Sequence, residues 1–168
     1  MSGNEKPIRF GRLTEVPLEE VSALLNEPRN ARHMPLAHRL SEGEVAAWVR
    51  GKDAQWSSEP YGPWAIWVGD RFAGWGGFQR EDEDADFALV LLPAFWGWGS
   101  VITAAALDQG FDELGLDSVT ISLPASRNPD QAVARFGFVP DGVVSYDGTS
   151  FRRFRLSRSV WRAATGSS

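Results

Sequence analysis

Leu89-Val-Leu-Leu-Pro-Ala-Phe-Trp-Gly-Trp-Gly-Ser100, running on into Val101-Ile-Thr-Ala-Ala-Ala-Leu-Asp-Gln-Gly-Phe111, fuses a strand, a glycine turn and the start of a helix. The apolar residues Phe87 to Leu92 read as a buried strand, Pro93 ends it, and Gly97 and Gly99 let the backbone approach a ligand without a Cβ in the way. The helix is predicted to open at Ser100. Its first amides have no acceptor inside the helix and carry the positive end of its dipole, which suits an anion such as a pyrophosphate. The turn therefore points to a nucleotide-type cofactor. The spacing departs from both common phosphate-binding patterns: Ile102 stands where a dinucleotide fold has its third glycine, and no P-loop lysine follows.

Downstream, Ala104, Leu107, Phe111 and Leu114 recur at helical intervals, which predicts one stripe facing a sheet, and Gly115 closes the helix. Val119 and Ile121 begin a strand predicted to run parallel to the one before the helix, as a right-handed crossover requires. Gln131 to Phe136 reads as a short helix, and Asp147-Gly148 as the turn of a hairpin joining Val143–Tyr146 to Ser150–Leu156. Upstream, Trp64 to Val68 and Phe72 to Phe78 flank Gly69-Asp70 as a second hairpin. Ile8 to Leu13 reads as a strand. Leu18, Val21, Leu24 and Leu25 share one face of a helix that stops before Pro28, and Glu27 to Leu40 reads as a loop or broken helix. Ser41 and Glu44 form a capping box before Val45, Trp48 and Val49, and Lys52 to Pro63 reads as a loop.

The 168 residues suit one domain, over 1–162, with a disordered tail at 163–168. Met1-Ser-Gly-Asn-Glu-Lys6 carries no signal-peptide pattern, and Phe87 to Trp96 is too short to span a membrane, so a cytoplasmic protein with no membrane partner is expected. The chain has no cysteine, which excludes disulfides, thiolate metal sites and a cysteine nucleophile. A net charge of −5 argues against nucleic acid as the main partner and is compatible with an amine-bearing one. His33 and His38 lack a third ligand at fitting spacing, so no metal is expected, and no G-x-S-x-G elbow supports serine hydrolase chemistry.

Pro93, Trp96, Gly97 and Gly99 stand in the order of the Pro-x-x-Trp-Gly-x-Gly loop of the GNAT N-acetyltransferases, and the segment resembles their RimJ/RimL-type branch. Arg135-Phe-Gly-Phe138, Arg155-Leu-Ser-Arg-Ser-Val-Trp161 and the Trp64 to Gly77 hairpin are similar to further elements of that branch. Ala94 replaces the Arg or Gln that begins the broader family pattern. The resemblance implies a single α/β (α+β) domain, a mixed, mostly antiparallel sheet of about six to seven strands flanked by about four helices. It implies acetyl-CoA as cosubstrate, with Leu89, Val90 and Leu91 beside pantetheine, and Trp96 with the amides of Gly97, Trp98, Gly99 and Ser100 around the pyrophosphate. Leu89 to Leu91 also fit plain buried strand, and the two readings coexist because the contacts would be made by backbone. Asn128 falls near the family's Asn-x-x-Ser element, two residues too close to Phe138.

Acetyl transfer to an amine needs that amine neutral when it attacks, and a carboxylate acting directly or through water supplies the base. Asp86 occupies the position of the Glu that opens the fourth strand in many members of the branch. Beside an apolar strand its pKa is expected to rise, and Glu81, Asp82, Glu83 and Asp84 either attract a cationic acceptor or form a solvated hairpin loop. The family's general acid, a tyrosine four residues before the Gly-Phe glycine, is replaced by Val133; Ser126 is the substitute candidate and Tyr146 a lesser one. His33 and His38 belong to the region that forms the acceptor wall in similar proteins or are plain surface histidines. The implied acceptor is a protein N-terminus or a small amine-bearing molecule, with room for a homodimer. The rival reading is a non-catalytic acyl-CoA-binding or interaction domain that kept the cradle and lost the catalytic groups.

Overall fold

The structure, a computed structural model, describes residues 8–31, 39–124 and 133–166. Seven strands occur in the order β1-β2-β3-β4-β5-β7-β6: β1 Ile8–Gly11, β2 Pro63–Val68, β3 Arg71–Glu81, β4 Asp84–Leu91, β5 Ser118–Pro124, β6 Val139–Tyr146 and β7 Thr149–Ser157. The β4–β5 pairing is parallel, as the crossover argument predicts, and β1–β2, β2–β3, β5–β7 and β6–β7 are antiparallel. The chain forms two compact units; one takes the described residues up to Gly77 together with Leu89–Ala106, the other Phe78–Ala88 and the residues from Leu107 onward.

In the first unit every residue of β2 is buried, so Trp64, Ile66 and Val68 and the alternating Ala65 and Trp67 are covered on both faces. Ile66, Val68, Ala73, Leu91, Phe95 and Ile102 make one core cluster, against which Ile8, Phe10, Leu89, Leu92 and Trp98 pack. Gly74 in β3 adopts φ +155°, and a Cβ there would lie 2.1 Å from the Val90 carbonyl and 2.8 Å from the Leu91 Cα. Only glycine lets β3 come this close to the end of β4.

Helices α1 (Leu18–Leu25) and α3 (Glu42–Asp53) bury Val21, Leu24, Val45 and Val49. The capping box is present: Ser41 Oγ accepts from the Glu44 amide at 3.2 Å and Glu44 Oε1 accepts from the Ser41 amide at 2.9 Å. Ser41→Ala is expected to cost about 1 kcal/mol in chemical denaturation. Three expectations shift. The first strand ends at Gly11, and a 3-10 turn, Leu13–Glu15, follows because the Glu15 carboxylate captures the Arg12 amide at 2.7 Å. Within Glu27 to Leu40 a helical turn, α2 (Pro28–Ala31), forms, with Pro28 at its first position, where the missing amide proton has no partner inside the helix to lose. The expected loop from Lys52 is instead the end of α3 plus a further turn, α4 (Gln55–Ser58), pinned by the bidentate Arg12–Asp53 pair at 2.8 and 2.9 Å and by Trp56 Nε1 donating to the Pro63 carbonyl at 2.7 Å.

Helix α5 (Gly99–Asp108) continues into a π-helical turn, Gln109–Glu113, marked by the Leu114 amide reaching the Gln109 carbonyl at 2.9 Å. The buried stripe takes in Ile102, Ala106, Leu107, Gly110 and Phe111; Leu107 and Phe111 lie on it as expected, while Ala104 and Leu114, both expected there, are half-buried.

The second unit buries Phe78, Phe87, Leu107, Phe111, Val119, Phe154 and Leu156, with Phe78 and Phe87 rings 5.5 Å apart. Its β6–β7 hairpin turns on Asp147 and Gly148, both at positive φ, the geometry of a tight two-residue turn. The tail expected to be disordered from Ala163 is helical to Thr165 in α6 (Arg158–Thr165). Its amphipathic face escapes notice in the sequence because one side chain carries it: Trp161, 6% exposed, whose Nε1 donates to Asp108 at 2.8 Å. The short helix expected over Gln131 to Phe136 falls partly outside the described residues. Among the described residues no helix is long and apolar enough to cross a membrane.

Candidate active site

The glycine turn is more ordered than its composition implies. Pro93–Trp98 forms a 3-10 turn that runs directly into α5 at Gly99, with no separate helix opening at Ser100. The Gly99 amide donates to the Trp96 carbonyl, so it is not an orphan donor. An anion can use it only by exchanging that turn bond. What Gly97 and Gly99 supply is bare backbone: Gly99 sits at φ −54°, open to any residue, and a Cβ on either glycine would meet no atom within 4 Å. The space in front of the turn is therefore open for a ligand, and Trp96, half exposed at 50%, borders it in sequence. This bare turn, at the head of a helix, fits a pyrophosphate-bearing molecule.

The strand leading into the turn is held from both sides. The Leu91 carbonyl accepts from Trp96 Nε1 at 3.0 Å and from Asn30 Nδ2 at 3.2 Å, and the Leu92 amide donates to the Ala73 carbonyl at 2.8 Å. Leu91 is thus engaged, while Leu89 and Val90 are half-buried. Pairing of β4 with β5 covers Asp86–Thr120 and Phe87–Ile121, whereas β4 runs on to Leu91 and β5 to Pro124. A separate open groove of about 690 Å³ meets the other end of the turn, at Leu92 to Phe95. Its cations, Arg29 and Arg71, are engaged with Glu27 at 2.8 Å and with the Phe95 ring at 4.9 Å.

In the second unit, Asp86 carries the perturbed carboxylate. Burial pushes its pKa up to about 6; Glu81 and Asp84 add to the rise, while Arg153 and a 2.7 Å hydrogen bond from Thr120 Oγ1 to Oδ1 oppose it. The acidic run around it divides into three fates. Asp82 and Glu83 are exposed at the hairpin tip, with Asp82 at φ 56°. Asp84 is clamped by Arg155 at 2.8 and 3.0 Å, which holds it below the usual carboxylate range. Arg155 also binds Asp141 and Ser118, and the hydrogen bonds to Asp84 raise the pKa of its guanidinium. Glu81 accepts from the Tyr146 hydroxyl, and burial together with Glu81 pushes that phenol up to about 12, so it stays protonated at neutral pH. Ser122 Oγ is close enough to oppose the rise, yet it is buried without a hydrogen-bond partner, a near neighbour rather than a bonded one.

The structure thus brings together Asp86 with two residues the sequence undervalued. Tyr146, read as a hairpin residue, reaches Glu81 and lies within the field of Asp86. Thr120, not singled out at all, sits directly across the ladder from Asp86. The signal for Thr120 was a polar residue on a strand whose neighbours Val119 and Ile121 are apolar. Val133, at the family's tyrosine position, is 4% exposed and apolar. Ser126, Asn128, His33 and His38 lie outside the described residues.

A family model, the acetyltransferase (GNAT) domain, matches residues 8–139. The chain belongs to the GNAT acetyltransferase family. As a GNAT enzyme it is an N-acetyltransferase that uses acetyl-CoA as cosubstrate. Solved structures share its fold at low identity. A GNAT-family acetyltransferase from Bacillus anthracis superposes with a TM-score of 0.72 at 13% identity, covering 95% of this chain and 98% of that one. A spermidine N-acetyltransferase from Vibrio cholerae, in complex with CoA and spermine, gives 0.72 at 14% identity over 95% and 99%. An acetyltransferase from Agrobacterium tumefaciens gives 0.72 at 16% identity over 90% and 91%. No curated protein matches the sequence.

Proposed function

We propose that this enzyme, a member of the RimJ/RimL-type branch, moves the acetyl group of acetyl-CoA directly to a primary amine, and that Asp86 takes the proton from that amine. The observation that carries the reading is the carboxylate of Asp86, desolvated on β4 and brought to about 6, a value suited to accepting a proton at neutral pH. The chain has no cysteine to carry the acetyl group, which favours direct attack. Acetyl-CoA supplies an activated acetyl thioester. Leu89, Val90 and Leu91 would hold its pantetheine arm and the turn from Trp96 through Gly97, Trp98, Gly99 and Ser100 its pyrophosphate.

The acceptor is an amine that is cationic in solution: among the described residues neither Glu81 nor Asp86 is held by the kind of arginine clamp that neutralises Asp84. A small amine of the polyamine type fits this charge, as does a protein N-terminus; the fold-related Vibrio cholerae enzyme acts on spermidine. A panel of amines assayed by thiol release decides between them, and the chain, having no cysteine, adds nothing to the signal. Release above background with a small amine supports the first, and release only with peptides the second. Release with none of them means that the acceptor lies outside both classes.

The cradle has its own test. Gly99→Glu puts bulk and negative charge where the Cβ now meets open space. Calorimetric titration with acetyl-CoA is expected to show micromolar binding to the wild type and a loss of about 100-fold or more in the variant, the size expected for an unpaired charge facing an anion. Equal binding by the two proteins would move the pyrophosphate elsewhere.

A further inference from the structure

Strand pairing sets Thr120 directly opposite Asp86, and Thr120 is 1% exposed, one of few fully buried polar side chains among the described residues. Its Oγ1 donates to Asp86 Oδ1 at 2.7 Å, an ordinary hydroxyl hydrogen-bond length at the upper end of the charge-assisted range. The donor is stiff on two counts. A β-branched side chain has restricted χ1, and the backbone beneath it is locked by pairing of Thr120 with Arg155 on β7. A carboxylate on a strand otherwise has free choice of rotamer, and a base must present its free lone pair in one direction.

We infer that Thr120 is a positioning residue for Asp86: its hydroxyl fixes the carboxylate through Oδ1 and so reserves Oδ2 for the proton of the acceptor amine. The inference rests on the reading of Asp86 as the base. It has a titration consequence, because a hydrogen bond donated to the carboxylate favours its charged form. The other groups facing Asp86 are Glu81 from β3 and Asp84 from β4, which raise its pKa, Arg153 from β7, which lowers it, and the protonated Tyr146 from β6. Removing the Thr120 hydroxyl therefore leaves Arg153 alone against burial, Glu81 and Asp84, the last of these already clamped by Arg155.

The experiment is a carbon-13 NMR titration of the aspartate carboxyls in the full-length protein, with the Asp86 signal assigned by its absence in Asp86→Asn. Thr120→Val is expected to move the Asp86 midpoint upward by about one pH unit, the lower end of what a hydrogen bond to a charged group contributes. Thr120→Ser, which keeps the hydroxyl, is expected to restore the wild-type midpoint. The acid limb of kcat/KM for acetyl transfer should move with the NMR midpoint across the series. If Thr120→Val does not fold, Thr120→Ala carries the same test. An Asp86 midpoint unchanged in the hydroxyl-free variants overturns the role of Thr120 while leaving Asp86 as the base. Full acetyl transfer by Asp86→Asn overturns the base, and the positioning role with it.

Discussion

Asp86→Asn is expected to lower kcat/KM for acetyl transfer by roughly 100- to 1,000-fold and, at the same time, to make the protein more stable at pH 8. The activity loss is the usual contribution of a positioned base. The gain in stability follows from the same burial that suits Asp86 to the role proposed for it. An aspartate titrates at 3.8 when unperturbed and at about 6 in this site, with burial the leading cause. Below the unfolded value both states hold the proton and the site has no cost. Between 3.8 and about 6 the folded state keeps a proton the unfolded chain has released, so this stabilising contribution fades as pH rises through about 6 and is gone above it. At pH 8 the folded protein carries a desolvated carboxylate worth about 2–3 kcal/mol of lost stability, and asparagine removes that charge while still accepting from Thr120. Thermal melts should show the variant higher by roughly 4–8 °C at pH 8, with the gap closing near pH 4. The wild-type acid limb of kcat/KM, with its midpoint about 6, should vanish from the residual activity. A variant that melts lower than wild type at pH 8 would mean that the carboxylate is not a burden on the fold, and the desolvated-base account would fail.

Which parts of this site the sequence revealed depends on whether the cause is local. The Ser41–Glu44 capping box and the Asp147-Gly148 turn are decided within a few residues, and both form where read. The perturbation of Asp86 was legible because an acid beside an apolar strand loses water whatever packs around it. The order of strand, turn and helix at Leu89 to Phe111 was likewise legible, because an apolar run, a proline and two glycines follow one another locally. The state of the turn's amides was not legible, because whether Gly99 donates to Trp96 or stays free depends on a 3-10 turn that composition does not impose. Nor was Tyr146, since its hairpin position says only that it sits near a turn. Its approach to Glu81, 65 positions earlier in the chain, joins β3 and β6, strands that are not neighbours in the sheet, so no local pattern announces it. Thr120 is hidden for the same reason: register, not neighbourhood, places it across from Asp86. Helix α6 escapes the sequence because its one buried side chain, Trp161, is held by Asp108, 53 positions away.

Gly74→Ala is expected to be the most damaging single substitution in the first unit, at about 3–5 kcal/mol. Two independent costs add at this position. The backbone at φ +155° is outside what an L side chain adopts without strain, a cost of order 1–3 kcal/mol. The added methyl would also meet the Val90 carbonyl at 2.1 Å and the Leu91 Cα at 2.8 Å, backbone atoms that cannot swing aside as a flexible side chain would. Relief requires β4 to shift away from β3, and the end of β4 is anchored by the Leu92 amide on the Ala73 carbonyl and by two donors on the Leu91 carbonyl. The same movement carries Leu89 to Leu91, so the substitution is expected to weaken acetyl-CoA binding even in whatever fraction remains folded. Gly99→Glu, by contrast, should weaken binding with little change in melting temperature, because its Cβ enters open space. Measuring both quantities on both variants separates the strand's support from the turn's contact with ligand. A Gly74→Ala protein that melts within a degree or two of wild type would show that β3 and β4 are not in the close approach this glycine permits.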